Sequence, residues 1–531
     1  MAGRYLIGLD YGTESARGVL IDAETGAQVA SHTVDYPNGV MTRMRDGAEL
    51  PRGWALQDAS DYLVAAREIL TVLGTGKHIE SIGIDFTASS PMPAHADGRA
   101  LSQTHPDSGH AYVKLWKHAS AQHFADAINA RGGDFLTNFG GKVSGEWLLA
   151  KAAELAREAP DLWAQTDRFI EAGDWVVWQL TGQERRSLAF AAYKAQYDAR
   201  EGYPTDAVDG LEARLSAPFP IGTSAGRLDA AWRADTGIEG PCTVAVAVID
   251  SHAVLPAVGG VRDGCLVAAL GTSAVYLHLS SAFKPLPPGI EGVAKDASVA
   301  GFWCYEAGQA GFGDTLAWFA RTFPRGAELS DSFAAYNAEA AELAPGAGRL
   351  VALDWWSGNR VPLADTKLSG LLVGLDTHTT AAQIYRALME ALCFGARSVV
   401  ELFEAGGLPV EEMIVTSGLA ASNPLLVQIL ADVLGKEIRV PEIDNATAVG
   451  AAIHGAVAGG VVAGFADGAE RFGARSFRRV SPVDGNTEVY AKLYSGYRAL
   501  AETRVVRDVM HDLAEVEASA GKQSAGRRSV A

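Results

Sequence analysis

Two short turns, each following an apolar run, carry the residue types best suited to chemistry on phosphate. The first contains Asp10, Gly12 and Thr13, and the second contains Gly271 and Thr272. Backbone N–H groups in glycine turns form anion-binding nests, and threonine hydroxyls add further donors. An ordinary Asx turn is the alternative for the first turn. The recurrence of the pattern about 260 residues later favours two similar domains that grip a phosphate chain from both sides.

Asp250 ends another apolar run and is followed by Ser251 and His252. A carboxylate at the carboxyl end of a strand lies where open α/β sheets bind ligands, and it is suited to accept a proton from an attacking hydroxyl. The alternative is a helix N-cap, a position that Asp and Ser favour. His252 is more typical of a packed or capping histidine than of a base.

Phosphoryl transfer requires alignment of a hydroxyl with the phosphate, charge neutralisation and exclusion of water. An aspartate, a Mg²⁺ ion held near Asp10 and two Gly-Thr turns meet these needs. Closure of two domains over the site would limit wasteful hydrolysis. The turns and carboxylates therefore favour a phosphotransferase.

Other residues indicate two kinds of ligand, one rich in hydroxyl groups and one with a flat ring. The segment 110–118 mixes aromatic and cationic residues, which suits a polyol or sugar, although an amphipathic helix with a solvated lysine face is the alternative. Lys194 and Glu306 are each suited to bond a sugar hydroxyl or to form an ion pair at the edge of the core. Gly418 followed by Asn423 fits either adenine or an ordinary βα loop.

The elements that must position these residues alternate between strand and helix patterns, which predicts an α/β layered fold. Strands are predicted over 5–9, 17–22, 29–36, 78–85, 243–249, 265–270, 275–279 and 413–417. Helices are predicted over 61–73, 380–404 and 423–434, from about 444, and from about 504. The small and polar end of the chain predicts a disordered tail.

Composition excludes several classes of protein. The chain has 531 residues, of which 48% are hydrophobic and 20% charged, as in ordinary globular proteins. Its net charge of −18 disfavours nucleic acid and anionic membrane surfaces. Four widely spaced cysteines predict reduced thiols rather than a disulfide or zinc scaffold. We find no signal peptide or membrane-spanning pattern, so a cytoplasmic protein is expected.

Seven longer motifs occur in order along the chain, and together they resemble those of the FGGY carbohydrate kinases, a branch of the actin-like ATPase superfamily. The resemblance covers about residues 4–505 and is most specific to the ribulokinase branch. The motifs occupy residues 53–58, 83–88, 110–117, 140–144, 171–178, 305–309 and 353–360.

The resemblance implies two ribonuclease-H-like domains facing a catalytic cleft. Residues 1–255 would form the N-terminal sugar-binding and catalytic domain and residues 256–505 the C-terminal nucleotide-binding domain. The tail expected from composition to be disordered then comprises residues 506–531. It further implies ATP and Mg²⁺ as cofactors and transfer of the γ-phosphoryl group to L-ribulose, giving L-ribulose 5-phosphate in L-arabinose catabolism. The expected partners are thus a sugar and ATP, and a homodimer is left open.

The resemblance also assigns roles by position. Asp250 matches the general base, and Asp10 would act near the metal. The phosphate-contacting positions are Gly12, Thr13, Arg17, Gly271 and Thr272. The nucleotide side matches Gly313, Gly418 and Asn423, and the sugar-binding positions are Ala88, Lys194, Asp250 and Glu306.

Three alternatives remain at this point. The first is a kinase for another pentulose or a pentitol, such as D-ribulose, xylulose or ribitol. The second is a catalytically silent sugar sensor on the same fold, which would not need to keep Asp10, Asp250 and both Gly-Thr turns. The third is an ATP-driven chaperone or actin-like filament, which the long sugar-pocket motifs disfavour.

Overall fold

A computed structural model describes residues 3–528 of the chain. The strands are β1 (Arg4–Tyr11), β2 (Ser15–Asp22), β3 (Gln28–Asp35), β4 (Leu56–Gln57), β5 (His78–Phe86), β6 (Pro91–Ala94), β7 (Val113–Lys114), β8 (Arg168–Glu171), β9 (Ser224–Arg227), β10 (Thr243–Ala245), β11 (Val248–Ile249), β12 (Cys265–Leu270), β13 (Ala274–Ser280), β14 (Gly292–Lys295), β15 (Trp303–Gln309), β16 (Val351–Leu353), β17 (Leu371–Val373), β18 (Glu412–Thr416), β19 (Ile438–Pro441) and β20 (Phe477–Val480).

The α-helices are α1 (Ala59–Gly74), α2 (Gln122–Arg131), α3 (Leu148–Glu158), α4 (Pro160–Gln165), α5 (Ala172–Thr181), α6 (Leu188–Ala195), α7 (Ala230–Thr236), α8 (Asp250–Ala257), α9 (Gly313–Thr322), α10 (Leu329–Ala341), α11 (Ala381–Ala405), α12 (Gly418–Ser422), α13 (Pro424–Leu434), α14 (Ala446–Ala458), α15 (Phe465–Phe472), α16 (Asp484–Glu502) and α17 (Arg504–Arg528). Short 3₁₀ turns occupy Leu101–Gln103, Gly109–Ala111, Asp134–Leu136, Thr205–Ala207 and Glu212–Arg214.

Two seven-stranded sheets have the same strand order and directions over six of their strands, which confirms the internal repeat. The first has the order β3-β2-β1-β5-β10-β9, with β11 also paired to β5. The second has the order β14-β15-β13-β12-β18-β19-β20. In each, an antiparallel hairpin (β1–β2, β12–β13) is followed by two parallel pairings (β1–β5–β10, β12–β18–β19) and an antiparallel edge strand. The predicted α/β class is therefore confirmed.

Most of the predicted helices and strands occur. Their ends differ from the prediction by a few residues, and one predicted strand is interrupted in the middle. Helix α11 begins after Thr380, whose side chain forms a capping box with Gln383, and α13 ends at Gly435 in the left-handed conformation. The strand predicted over 243–249 is divided into β10 and β11, which pair separately with β5.

One alternative and one expectation from the sequence are wrong. The segment 110–118 is not an amphipathic helix with solvated lysines, since it contains a 3₁₀ turn and the short strand β7, and Lys114 is fully buried. The helix predicted from about residue 504 is confirmed as α17, and because α17 continues to Arg528, the expectation of a disordered tail over 506–531 is wrong for residues 506–528. Met510 of this helix packs against the core of the second sheet. Residues 529–531 lie outside the described part of the chain.

Helix α14 lies against the first sheet at unusually short range. A Cβ atom on Gly8 or Gly83 would overlap the carbonyl oxygens of Ala448 and Ala451 of this helix, and one on Gly450 would overlap Ala253 of α8. These glycines let backbone pack directly on backbone. One apolar cluster consequently spans the first sheet, α8 and α14 and reaches the second sheet.

We expect Gly83→Ala to destabilise the protein by about 1–3 kcal/mol, because a backbone carbonyl cannot move aside as a flexible side chain can. Thermal unfolding measures the effect. Gly485→Ala is the control, since an added Cβ there in α16 meets nothing within 4 Å and alanine favours helix. Equal melting temperatures for Gly83→Ala and the control would contradict this close contact.

All four cysteines have free thiols, as predicted, and each of them is buried. Within residues 3–528, every helix is too short or too polar to serve as a membrane span.

Candidate active site

Three carboxylates converge at the carboxyl ends of neighbouring strands of the first sheet. Parallel pairing of β1 with β5 sets Asp10 beside Asp85, and β11 pairs with the end of β5 so that Asp250 opens α8 next to them. Burial is the main cause that raises the pKa of each carboxyl. Repulsion from neighbouring carboxylates adds to the shift for Asp85 and Asp250, whereas interaction with the Asp85 carboxyl and the charge of Arg17 oppose it for Asp10. Burial brings the pKa of Asp250 to about 7, with a Ser251 N–H bond at 2.6 Å opposing the shift.

Asp85 is one of the residues that the sequence interpretation missed. It is fully buried, and neither of its carboxylate oxygens has a hydrogen-bond partner in the structure. Its position at the end of a predicted strand was a usable signal, because that is where Asp10 also lies. Two adjacent carboxylates with free lone pairs need a shared proton or a cation.

The pair fits Mg²⁺ as far as donor chemistry is concerned. Mg²⁺ takes oxygen ligands and usually binds through one or two carboxylates, with waters and substrate phosphates completing its shell. The part of the chain that is described contains no cluster of three or more His, Cys, Asp or Glu side chains arranged to hold a metal. A metal here would therefore depend on Asp10 and Asp85 together with phosphate oxygens.

The two predicted phosphate turns have matching geometry. Gly12 N–H donates to the Ser15 carbonyl at 3.0 Å, and Gly271 N–H donates to the Ser273 carbonyl at 2.8 Å. Each bond closes the hairpin turn of its sheet. Side chains reinforce the first turn: Tyr36 OH donates to the Gly12 carbonyl at 3.2 Å.

Thr13 and Arg17 are also held in place. The Thr13 carbonyl accepts from Gln57 Nε2 at 2.5 Å, and its hydroxyl oxygen accepts from the Trp116 indole at 3.1 Å. The hydrogen of that hydroxyl remains for an anionic acceptor. Arg17 bonds Thr33 at 3.2 Å, and its charge lowers the pKa of Asp10 against the larger effect of burial.

Among the positions predicted to bind nucleotide, Gly313 opens α9, which begins directly on the second turn. Gly313 N–H donates to the Gly271 carbonyl at 2.9 Å, and a Cβ on Gly313 would come 2.7 Å from that oxygen. The next N–H group of α9, that of Asp314, donates to the Thr272 carbonyl at 3.2 Å, so the N-terminus of this helix is bonded directly to the turn that contains Thr272. An added Cβ on Gly418 would meet nothing within 4 Å, so this position is open.

Asn423 is engaged elsewhere. Its side-chain oxygen accepts from Leu426 N at 3.1 Å as the N-cap of α13, and its amide donates to Asn337 at 3.1 Å. It is 3% exposed. Both ends of its amide thus bond groups of the protein, and its oxygen caps α13.

Two of the residues predicted to bind sugar, Lys194 and Glu306, form one charged group with His252 beside Asp250. Lys194 Nζ lies 3.7 Å from a Glu306 carboxylate oxygen, and His252 Nε2 lies 3.4 Å from the other. Burial raises the pKa of Glu306, but Lys194 and His252 outweigh it and bring the pKa to about 2. Lys194 and Glu306 both act electrostatically on Asp250. His252 is fully buried and bonds Ser298 at 2.6 Å, so the interpretation as a packed histidine is confirmed.

The sequence interpretation did not anticipate two further charged residues beside this group, Arg360 and Glu291. Arg360 lies 3.5 Å from Glu291 and 4.0 Å from Glu146. Burial is the main cause that raises the pKa of Glu291 to about 7, and Glu306 adds to the shift while Arg360 opposes it. Arg360 falls within the motif at 353–360, but a single sequence gives no sign of its partners. Ala88, the remaining predicted sugar position, lies in the loop between β5 and β6.

Comparisons with known proteins agree with this geometry. Residues 266–459 match the C-terminal domain of the FGGY family of carbohydrate kinases. The chain is 38% identical to a ribulokinase of Halalkalibacterium halodurans and 38% identical to one of Geobacillus thermodenitrificans, with 97% of each chain covered in both cases.

A solved xylulose kinase from Rhodospirillum rubrum superposes with a TM-score of 0.81 at 22% identity, covering 96% of this chain and 100% of that one. Its likeness confirms the two-domain actin-like fold. The full-length identity to the curated relatives, together with the matched domain, establishes that this chain belongs to the FGGY family of carbohydrate kinases.

Proposed function

We propose that this protein transfers the γ-phosphoryl group of ATP to the terminal hydroxyl of L-ribulose, giving L-ribulose 5-phosphate and ADP. The observation that carries the proposal is the placement of Asp250, which lies beside Asp10 at the phosphate turn and beside the Lys194–Glu306 pair. Full-length similarity to proteins named ribulokinase supports the choice of sugar.

In this mechanism, Asp250 accepts the proton of the sugar's terminal hydroxyl. The hydroxyl oxygen then forms a bond to the γ-phosphorus, the bond to the β,γ-bridging oxygen breaks, and ADP leaves. A base with a pKa of about 7 is well matched to neutral pH. Mg²⁺, held through Asp10 and Asp85, would supply charge neutralisation on the phosphates.

The other residues bind and orient. We assign Lys194, Glu306 and Ala88 to the sugar, and Gly12, Thr13, Arg17, Gly271, Thr272, Gly313 and Gly418 to the nucleotide. We also assign residues 1–255 to a sugar-binding and catalytic domain and residues 256–505 to a nucleotide-binding domain. The first sheet is built from strands up to Ile249 and the second from Cys265 onward, which supports the division.

The test is ADP release with Mg-ATP across L-ribulose, D-ribulose, L-xylulose, D-xylulose and ribitol, with a sugar-free blank. The highest kcat/KM on L-ribulose supports the proposal. Preference for another sugar would keep the kinase and overturn the substrate. Sugar binding without any sugar-stimulated turnover would support the silent sensor instead.

Lys194→Ala is expected to raise the KM for sugar by about tenfold or more and to leave the KM for ATP within about twofold, since a charged hydrogen-bond donor to a hydroxyl is lost. Steady-state kinetics with each substrate varied in turn measure both constants. Lys295→Ala is a matched control, because Lys295 lies 5.9 Å from the Trp303 ring centre much as Lys194 lies 6.0 Å from that of Trp147. Equal losses for both substrates would argue against the pocket role.

The dependence of activity on pH follows from Asp250. Its pKa of about 7 means that the carboxyl is protonated, and cannot accept a proton, at lower pH. We therefore expect kcat/KM for the sugar to rise with pH, tenfold per unit below the pKa, and to level off above about pH 7. A profile that stays flat from pH 5.5 to 8.5 would contradict the assigned base.

A further inference from the structure

The loop that contains Ala88 is held from two sides by buried charged side chains. We call residues 87–90, between β5 and β6, the sugar loop; this role rests on the proposed function. Ser89 and Ser90 of this loop are at most 2% exposed. Their partners therefore determine where the loop lies.

Glu171 holds one side of the sugar loop. One of its carboxylate oxygens accepts from the Ser89 hydroxyl at 2.7 Å, and the other accepts from the Ser90 backbone N–H at 2.7 Å. Glu171 ends β8, which pairs with β6 immediately after the loop. The carboxylate thus anchors two successive residues of the loop to a sheet.

Lys151 holds the other side. Its ammonium group is fully buried on α3 and donates to the carbonyls of Ser89 at 2.8 Å, Leu115 at 2.7 Å and Lys114 at 3.3 Å. Three donors meet three carbonyls, so the group is fully satisfied. The bonds tie the sugar loop to a second segment, the end of β7.

That second segment leads to the phosphate turn. Trp116 follows Leu115 directly, and its indole N–H donates to the Thr13 hydroxyl oxygen. A continuous path therefore runs from the sugar loop through Lys151 and the Leu115 carbonyl to Trp116 and Thr13. Each link is a hydrogen bond or a peptide unit within the described chain.

We propose that Lys151 is a positioning residue that couples the sugar loop to the phosphate turn, so that an ordered sugar loop aligns Thr13 with the phosphate to be transferred. Neither Lys151 nor Trp116 needs to touch the sugar. A misplacement of about 1 Å of the reacting groups costs on the order of 10²-fold in rate. A hydrogen-bonded path of this kind therefore influences kcat although Lys151 lies outside the reacting groups. Burial lowers the pKa of Lys151, and the neighbouring Glu171 opposes that shift.

The test compares variants by two measurements. The first is kcat. The second is the coupling factor, which we define as the factor by which a non-hydrolysable ATP analogue changes the sugar Kd measured by calorimetry. The sugar is whichever member of the panel the wild type binds best. If the wild-type protein neither binds nor phosphorylates L-ribulose, that result would count against the proposed substrate alone. Sugar binding by the wild type with a coupling factor within twofold of one would overturn the coupling proposal alone.

We expect Lys151→Met to lower kcat about 10–100-fold and to bring the coupling factor close to one. Trp116→Phe should lower kcat several-fold while the sugar Kd without nucleotide stays within twofold. The double variant should lose less kcat than the product of the single losses, because both act on one path. Additive losses, or an unchanged kcat for Trp116→Phe, would overturn the proposal.

Matched controls remove the same chemistry elsewhere. Lys436→Met deletes an ammonium that donates to the Val410 carbonyl at 3.0 Å, and Trp163→Phe deletes an indole N–H that donates to the Asp209 backbone carbonyl at 3.1 Å. Both should keep the wild-type coupling factor. If Lys151→Met does not fold, Glu171→Gln takes its place in the cycle with Trp116→Phe, and additive losses in that pair overturn the proposal equally.

Discussion

Replacing Asp250 by asparagine is expected to lower kcat for sugar phosphorylation by roughly 10²–10⁴-fold, which is the usual contribution of a positioned general base. Asparagine keeps the shape of the side chain but has no basic site for the hydroxyl proton. Coupled ADP-release assays at saturating sugar and ATP measure the effect. Because burial already disfavours the ionised carboxyl, the variant should melt at the same temperature as the wild type or higher.

Asp354→Asn is the matched control for this substitution. Asp354 is also buried, with a pKa raised to about 6 chiefly by burial, and it bonds Tyr497 at 2.7 Å and Gln309 at 2.6 Å in the second domain. Its variant should keep kcat within about threefold while stability changes. Unchanged turnover in folded Asp250→Asn, with the control behaving as expected, would remove the base assignment.

Asp85→Asn is expected to raise the stability of the protein and to lower its activity. Burial, followed by repulsion from Asp10 and Asp250, raises the pKa of Asp85 well above its usual range. The folded state therefore holds a proton that the unfolded state has already released, and without metal the wild type loses stability as pH rises above about 4 toward the folded pKa. Asparagine has no such proton, so in metal-free buffer at pH 7–8 the variant should melt at a higher temperature.

Although the melting temperature of Asp85→Asn should rise, its turnover should fall. Loss of one carboxylate from the pair should lower kcat about 10–10³-fold and raise the Mg²⁺ concentration needed for half-maximal rate, because charge neutralisation on the phosphates is weakened. Titration of turnover with Mg²⁺ measures both effects, with Asp10→Asn compared in parallel. Wild-type kcat and Mg²⁺ dependence in Asp85→Asn would remove this residue from the proposed metal site.

Local patterns in the sequence were sufficient to predict the alternating elements, the two Gly-Thr turns and the duplicated architecture. Apolar periodicity depends on short-range spacing, and the cap at Thr380 and the stop at Gly435 act within one turn of helix. The general position of Asp250 at a strand end was visible for the same reason. Placement of Ala88, Lys194 and Glu306 in a sugar pocket instead depended on resemblance to a family and stays a proposal.

Contacts between distant segments could be decided only by the tertiary structure. Parallel pairing of β1 with β5 brings Asp85 beside Asp10, although 75 residues separate them in sequence. Burial by the surrounding fold then gives Asp250 a pKa of about 7 and commits the Asn423 amide to a helix cap. The sequence by itself determined which residues could do the chemistry; the tertiary structure decided which of them meet, because charge, desolvation and hydrogen-bond partners are properties of the packed chain.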